Sequence, residues 1–289
     1  MENHTNNLTP SPETAPSTAR AWLLIALFVF SAVILGILFK DSFTLESVRI
    51  WLLWGAAVMA CIVPVIALAI WRGKPENRQN IGLALGVWFM NFSCLLLMNR
   101  LPILSDLAWN WTGKTFAIIA TLAFVGLWHG VNWREIGFAG LRKGSWRPFI
   151  ILTVIWFLLS GWRTGGDPTE LESLLFNLSL PAIDEELIYR GVLLVLLNRT
   201  FGTPWKVLGA SVGWGWVICS VLFGMVHGIG FDQSQFQFDI APIFFTGIGG
   251  LIMGWVRERT GSLFSSMALH AIGDGAGYAV NAMINGLAL

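Results

Sequence analysis

Long apolar runs separated by short polar or charged loops fill most of the chain. A membrane-spanning helix needs about 20 mostly apolar residues. Runs of that kind lie near 21–39, 48–71, 81–98, 115–131, 148–163, 171–198, 208–229, 240–256 and 261–285. The pattern predicts an all-α, polytopic membrane protein with eight or nine transmembrane helices. The fifth run is short, and Pro181 interrupts the sixth. That run is expected to split into an interfacial piece over 171–180 and a helix starting near Pro181, since a proline in a first helical turn gives up no hydrogen bond. Gly224 and Gly228, Gly250 and Gly254, and Gly273 and Gly277 are spaced to let helices approach closely in lipid. No repeat or inverted half is visible.

Composition agrees with the pattern. Of 289 residues, 55% are hydrophobic and 12% charged, against about 25% charged in soluble domains; mean hydropathy is +0.66. A net charge of +1 gives no reason to expect nucleic-acid binding. Cys61, Cys94 and Cys219 lie in apolar runs and read as packing residues, with no zinc or disulfide spacing. Residues 1–20 read as a disordered tail, rich in Asn, Thr, Ser and Pro. The run after it lacks a basic leader and a clear A-x-A site, so it reads as a retained helix. Tryptophans Trp51, Trp71, Trp109, Trp111, Trp128, Trp133 and Trp146 fall near span ends, as an aromatic belt would. Loops 72–80 and 132–147, and the turns after the sixth and eighth spans, are basic, whereas the intervening loops are neutral or acidic. The positive-inside rule then puts the N-terminus in the cytoplasm, of a bacterial cytoplasmic membrane on this reading.

Charges at membrane depth are costly and usually functional, which singles out Asp184-Glu185-Glu186-Leu-Ile-Tyr-Arg190 inside the sixth run. Glu186 and Arg190, four apart, share a helix face and pair. Glu185 is turned roughly 100° away and is left to face something else. Its structural alternative is a solvated edge of an ion-pair cluster. Phe223-Gly-Met-Val-His227 lies in the seventh run and His270-Ala-Ile-Gly-Asp274 in the ninth. Buried polar side chains in lipid must find partners, and the cheapest are one another. Carboxylates and imidazoles that converge can activate a water, with or without a metal. His4 lies in the tail, and His129 reads as interfacial.

Taken in order, Glu185-Glu186-x-x-x-Arg190, Phe223-x-x-x-His227 and His270-x-x-x-Asp274 resemble the three motifs of the CPBP intramembrane proteases. This CAAX-protease and bacteriocin-processing (Abi) family includes Rce1-type endopeptidases that trim prenylated proteins. Glu258-Arg-Thr260-Gly261 also looks like the family's approach to its third motif. The resemblance covers about residues 170–285, so 170–289 reads as the catalytic core and 21–169 as family-variable helices. It implies that Glu185 activates the water, His227 holds it, and His270 and Asp274 stabilise the oxyanion, with Glu186, Arg190 and Phe223 in support. An ionised Asp274 cannot donate to an oxyanion. It is therefore protonated, or orients His270, or helps bind a divalent metal. His227, His270 and Glu185 or Asp274 would make a three-ligand zinc site with one open position, and the spacing leaves metal use open. The substrate implied is a peptide or protein in or at the bilayer, of a prenylated type among others.

A non-proteolytic immunity or partner-binding protein on the same scaffold is the alternative, and an ion or metal transporter a third. Loop parity puts Glu185 and His270 near mid-membrane and His227 nearer the outer end of its helix. A start for that helix near Ser211 would narrow the gap. The side on which the site opens stays open.

Overall fold

The computed structural model describes residues 17–39, 44–73, 75–99, 101, 107–162, 167–232 and 235–288. Most of the tail expected over 1–20 lies outside them, but helix α1 (Thr18–Phe39) begins three residues earlier than its apolar run. Helices α2 (Leu45–Gly73), α3 (Gln79–Leu97), α4 (Trp111–Trp128) and α5 (Trp146–Ser160) follow in the expected places. His129 ends α4, at the span end where the sequence placed it: it adopts φ 59° and donates its N–H to the Val125 carbonyl.

The sixth run splits as its proline predicts. Helix α6 (Leu171–Asn177) stops at Leu178, and α7 (Leu180–Glu186) restarts with Pro181 in its first turn. A π-helical segment (Leu187–Leu193) and α8 (Leu194–Phe201) continue it without a break. Single-turn π distortions are frequent at functional sites; this one runs over seven residues and carries Tyr189 and Arg190. Three N–H donors reach Glu172 on α6: the Ala108 and Trp109 backbones and the Trp111 indole. Burial pushes that carboxyl up, but these donors outweigh it and hold it below the usual range.

One predicted helix is shorter than its apolar run. Residues 208–212, expected to open the seventh span, belong instead to an antiparallel hairpin of β2 (Trp205–Val207) with β3 (Ala210–Val212), and α9 covers Trp214–Gly228. Leu208 and Gly209 both take positive φ, as a two-residue type I′ turn requires. A second hairpin, β4 (Ile229–Asp232) with β5 (Gln235–Phe238), joins α9 to α10 (Ile240–Thr260). Helix α11 (Leu263–Asn285) ends at β6 (Leu287–Ala288), which pairs in parallel with β1 (Thr169–Glu170). The fold is all-α, with these short ribbons at helix ends.

Among the described residues, five helices are long and apolar enough to cross a membrane: α1, α2, α3, α4 and α10. That is fewer than the eight or nine expected. Helices α5 and α9 have 15 residues each, and the helix through 180–201 is interrupted by its π segment. Helix α11 carries His270, Asp274 and several Ser and Gly residues, which lower its apolarity.

Gly224 and Gly228 put α9 against α10 so closely that a Cβ at either would strike the carbonyl oxygen of Ile243 or Asp239. Gly224→Val is expected to destabilise the protein by about 1–3 kcal/mol through overpacking and to displace α9. Thermal unfolding in detergent measures this, and an unchanged midpoint would show that the close approach is not required. The aromatic belt is partial. Trp71, Trp133 and Trp146 are exposed, but Trp51 and Trp128 are buried. Trp109 and Trp111 pack on Phe176 instead of facing lipid.

Candidate active site

The site is assembled from five helices. Glu185 and Glu186 end α7, Arg190 lies in the π segment, Phe223 and His227 on α9, and His270 and Asp274 on α11. Helices α3 and α4 contribute Asn91 and Lys114. All seven residues singled out from the sequence lie in one cluster. Helix α9 starts at Trp214, later than its apolar run, and His227 Nε2 lies 3.9 Å from Glu185 Oε2.

Glu186 is the buried anchor. Its Oε1 accepts from Arg190 Nη1 at 2.9 Å and faces His270 Nδ1 at 2.8 Å. Glu186 is 0% exposed and Arg190 1%. The Arg190 guanidinium also lies 4.3 Å from the centre of the Phe223 ring, a cation–π contact that steadies both. Gly250 of α10 makes room for it, since a Cβ there would come within 3.2 Å of Arg190 Nη2.

Glu185 faces the other way, as its position in the helical turn requires. Its Oε1 takes the Lys114 ammonium at 2.6 Å. Its Oε2 is buried without a hydrogen-bond partner among the described residues. That oxygen looks toward His270 Nε2 at 3.6 Å and His227 Nε2 at 3.9 Å. Separations of this size leave room for a bridging water. His227 Nδ1 lies 2.7 Å from the Phe223 carbonyl; a carbonyl only accepts, so Nδ1 carries a proton, and in the neutral ring Nε2 is left as an acceptor. His270 Nε2 is also 3.2 Å from Asp274 Oδ2. With carboxylate oxygens at both ring nitrogens, His270 donates at both. Asp274 therefore orients His270 in this geometry.

Lys114 and Asn91 were not singled out from the sequence. Lys114 bridges Glu185 to Asp184 Oδ2 at 3.3 Å, and Asn91 Nδ2 donates to Asp184 Oδ1 at 2.9 Å. Lys114 is 8% exposed. A lysine beside an apolar run was the available signal, but the run was bounded at 115, one residue too late. Lys114→Met leaves two neighbouring carboxylates without their cation. It is expected to lower both the melting temperature in detergent and any activity, with Lys114→Arg recovering much of the stability. Equal midpoints for wild type and Lys114→Met would contradict this role.

A cavity of about 560 Å³ adjoins the cluster, lined by Glu185, His227, His270 and Asp274 and by residues of α5 and α10. Leu159 and Phe245 on its wall are 60% and 70% exposed, so it opens between α5 and α10 onto the apolar surface. Ser160, Gly273 and Asp274 also line a polar pocket of about 430 Å³ beside Thr169, Asn177 and Asn281.

A divalent metal fits these residues poorly. Among the described residues no three His, Cys, Asp or Glu side chains are grouped as a metal site requires. His270 Nε2 is turned to Asp274, and a second cation at Glu185 would face the Lys114 ammonium.

A bundle of apolar helices enclosing paired carboxylates and imidazoles, open to lipid and to a polar pocket, defines a membrane protein with a buried polar reaction site. Residues 167–276 match the family of type II CAAX prenyl endopeptidase Rce1-like proteins, and over those residues the chain carries an Rce1-like domain. Comparison with curated proteins and with solved structures gave no match. The family is one of proteases, and its domain contains every one of the residues named from the three motifs.

Proposed function

We propose that this protein is an intramembrane endopeptidase in which Glu185 activates water. The observation that carries the reading is the unpartnered, buried Oε2 of Glu185, aimed at two imidazole Nε2 atoms beside a cavity open to lipid. A water between Glu185 and His227 donates one hydrogen to each. As the water oxygen bonds to the scissile carbonyl carbon, Glu185 takes its proton and the carbonyl π electrons move to oxygen. The His270 Nε2–H, held by Asp274 at rest, is the donor proposed to turn to that oxyanion, where such stabilisation has most effect. Collapse of the intermediate breaks the C–N bond, and Glu185 passes the proton to the leaving amine. Lys114 stays on Glu185 Oε1 and offsets its charge.

The lateral opening suits a substrate anchored in the bilayer. The family's name points to a prenylated C-terminal peptide, so that is the substrate class proposed first. The cavity walls come from the last turns of α5 and α9, from α10 between Phe245 and Met253, and from Glu185 and α11.

Purified protein incubated with a farnesylated CAAX peptide tests the reading directly. Wild type is expected to release the C-terminal tripeptide, and Glu185→Gln is not. Release should persist after a strong chelator. Loss of release on chelation, restored by zinc, would overturn the metal-free mechanism, and equal release by Glu185→Gln would overturn the role of the glutamate.

A further inference from the structure

Away from the reaction site, the basic end of the molecule holds a second built cavity. It measures about 410 Å³ and is lined by Arg134, Arg142 and Arg257 with Asn132, Glu135 and Gly261. It lies where the segment between α4 and α5 meets the junction of α10 and α11. Arg257 is 5% exposed, and its Nη2 donates to the Glu135 carbonyl at 2.6 Å. Its buried Nε has no hydrogen-bond partner among the described residues. Arg142 Nη1 donates to the Glu258 carbonyl at 2.9 Å. Arg134 is exposed and pairs with nothing among the described residues.

The carboxylates here are already committed. Glu135 accepts from Arg199 Nη2 at 2.7 Å and from the Asn132 N–H at 2.9 Å. Glu258 accepts from Asn198 Nδ2 at 2.9 Å. Guanidinium charge is therefore in excess around a concave, polar wall. Guanidinium forks match phosphate oxygens in geometry as well as charge. The surroundings give the depth: Trp133, Trp146 and Phe264 are each about half exposed close by, as aromatic residues are at the headgroup level of a bilayer. Basic pockets between helices on that face suit anionic headgroups.

We infer that this cavity binds a phosphate group, carried by an anionic phospholipid headgroup or supplied as free phosphate. Arg257 forms its floor, and Arg134 and Arg142 form its rim. The inference is independent of proteolysis, because none of these residues touches the Glu185 cluster.

The test uses the full-length protein. Binding is read by native mass spectrometry and by thermal shift, with phosphatidylglycerol, phosphatidylcholine and inorganic phosphate as separate probes. The exposed pair Arg134→Gln and Arg142→Gln is the main variant, since neither side chain is buried; Arg257→Gln is the second. Wild type is expected to hold phosphatidylglycerol about tenfold or more tightly than the double variant does. Phosphatidylcholine should show no such difference. If inorganic phosphate alone stabilises wild type and displaces the lipid, the site is a phosphate site with a soluble source. Equal phosphatidylglycerol binding by wild type and double variant, with no effect of inorganic phosphate on either, would overturn the inference.

Discussion

Glu185→Gln is expected to remove peptide-bond cleavage by a factor of about 10²–10⁴, the usual contribution of a positioned general base. It should leave the fold nearly intact. The amide is almost isosteric, its oxygen can still accept from Lys114, and the carboxylate is not the anchor of Arg190 or His270. What it loses is the capacity to take a proton from water at the Oε2 position. Cleavage rate and thermal midpoint must therefore separate: the first collapses while the second holds. A variant that cleaves at the wild-type rate would remove Glu185 from the chemistry. A variant that fails to fold would make Glu185 a structural residue instead.

Glu186→Gln is expected to do the opposite. Glu186 is fully buried and its Oε1 serves Arg190 and His270 together. Neutralising it leaves two donors around an amide that carries no compensating charge. Removing one partner of a buried ion pair costs about 3–5 kcal/mol, a large share of the roughly 5–15 kcal/mol that keeps a domain folded. Yield and melting temperature in detergent should both fall. Replacing Arg190 with Met in the same chain should recover part of the stability, because the unpaired guanidinium is then gone. Recovery of stability without recovery of cleavage would follow, since an amide at 186 offers the doubly donating His270 no charge to offset its own. A midpoint for Glu186→Gln equal to wild type would contradict the anchor role.

These two residues were legible because charge inside an apolar run is conspicuous and helical geometry separates neighbours by about 100°. The break at Leu178–Ser179 was legible from Pro181 for a similar reason: proline has a defined place in a helix. Lys114 was missed at the edge of a window, where a charge reads as loop. Asn91 was missed because a neutral amide barely alters hydropathy, although its hydrogen bond to Asp184 ties α3 to the site. Residues 208–212 of the hairpin read as helix because Leu208, Ala210 and Val212 look like helix core, while the turn depends on local φ at Leu208 and Gly209. The contact of His270 with Glu186 joins residues 84 apart, and only the packed fold brings them within 2.8 Å. The basic cavity escaped notice too: its arginines looked like topology signals in two separate loops.

The most direct test of the central claim compares peptide termini in membranes of host cells carrying wild type or Glu185→Gln at matched protein levels. The account predicts new termini in wild-type cells alone, mapping to segments that lie in or beside the bilayer. Identical termini in both, with both proteins folded and present in the membrane, would contradict it and leave the cluster as a structural or binding element.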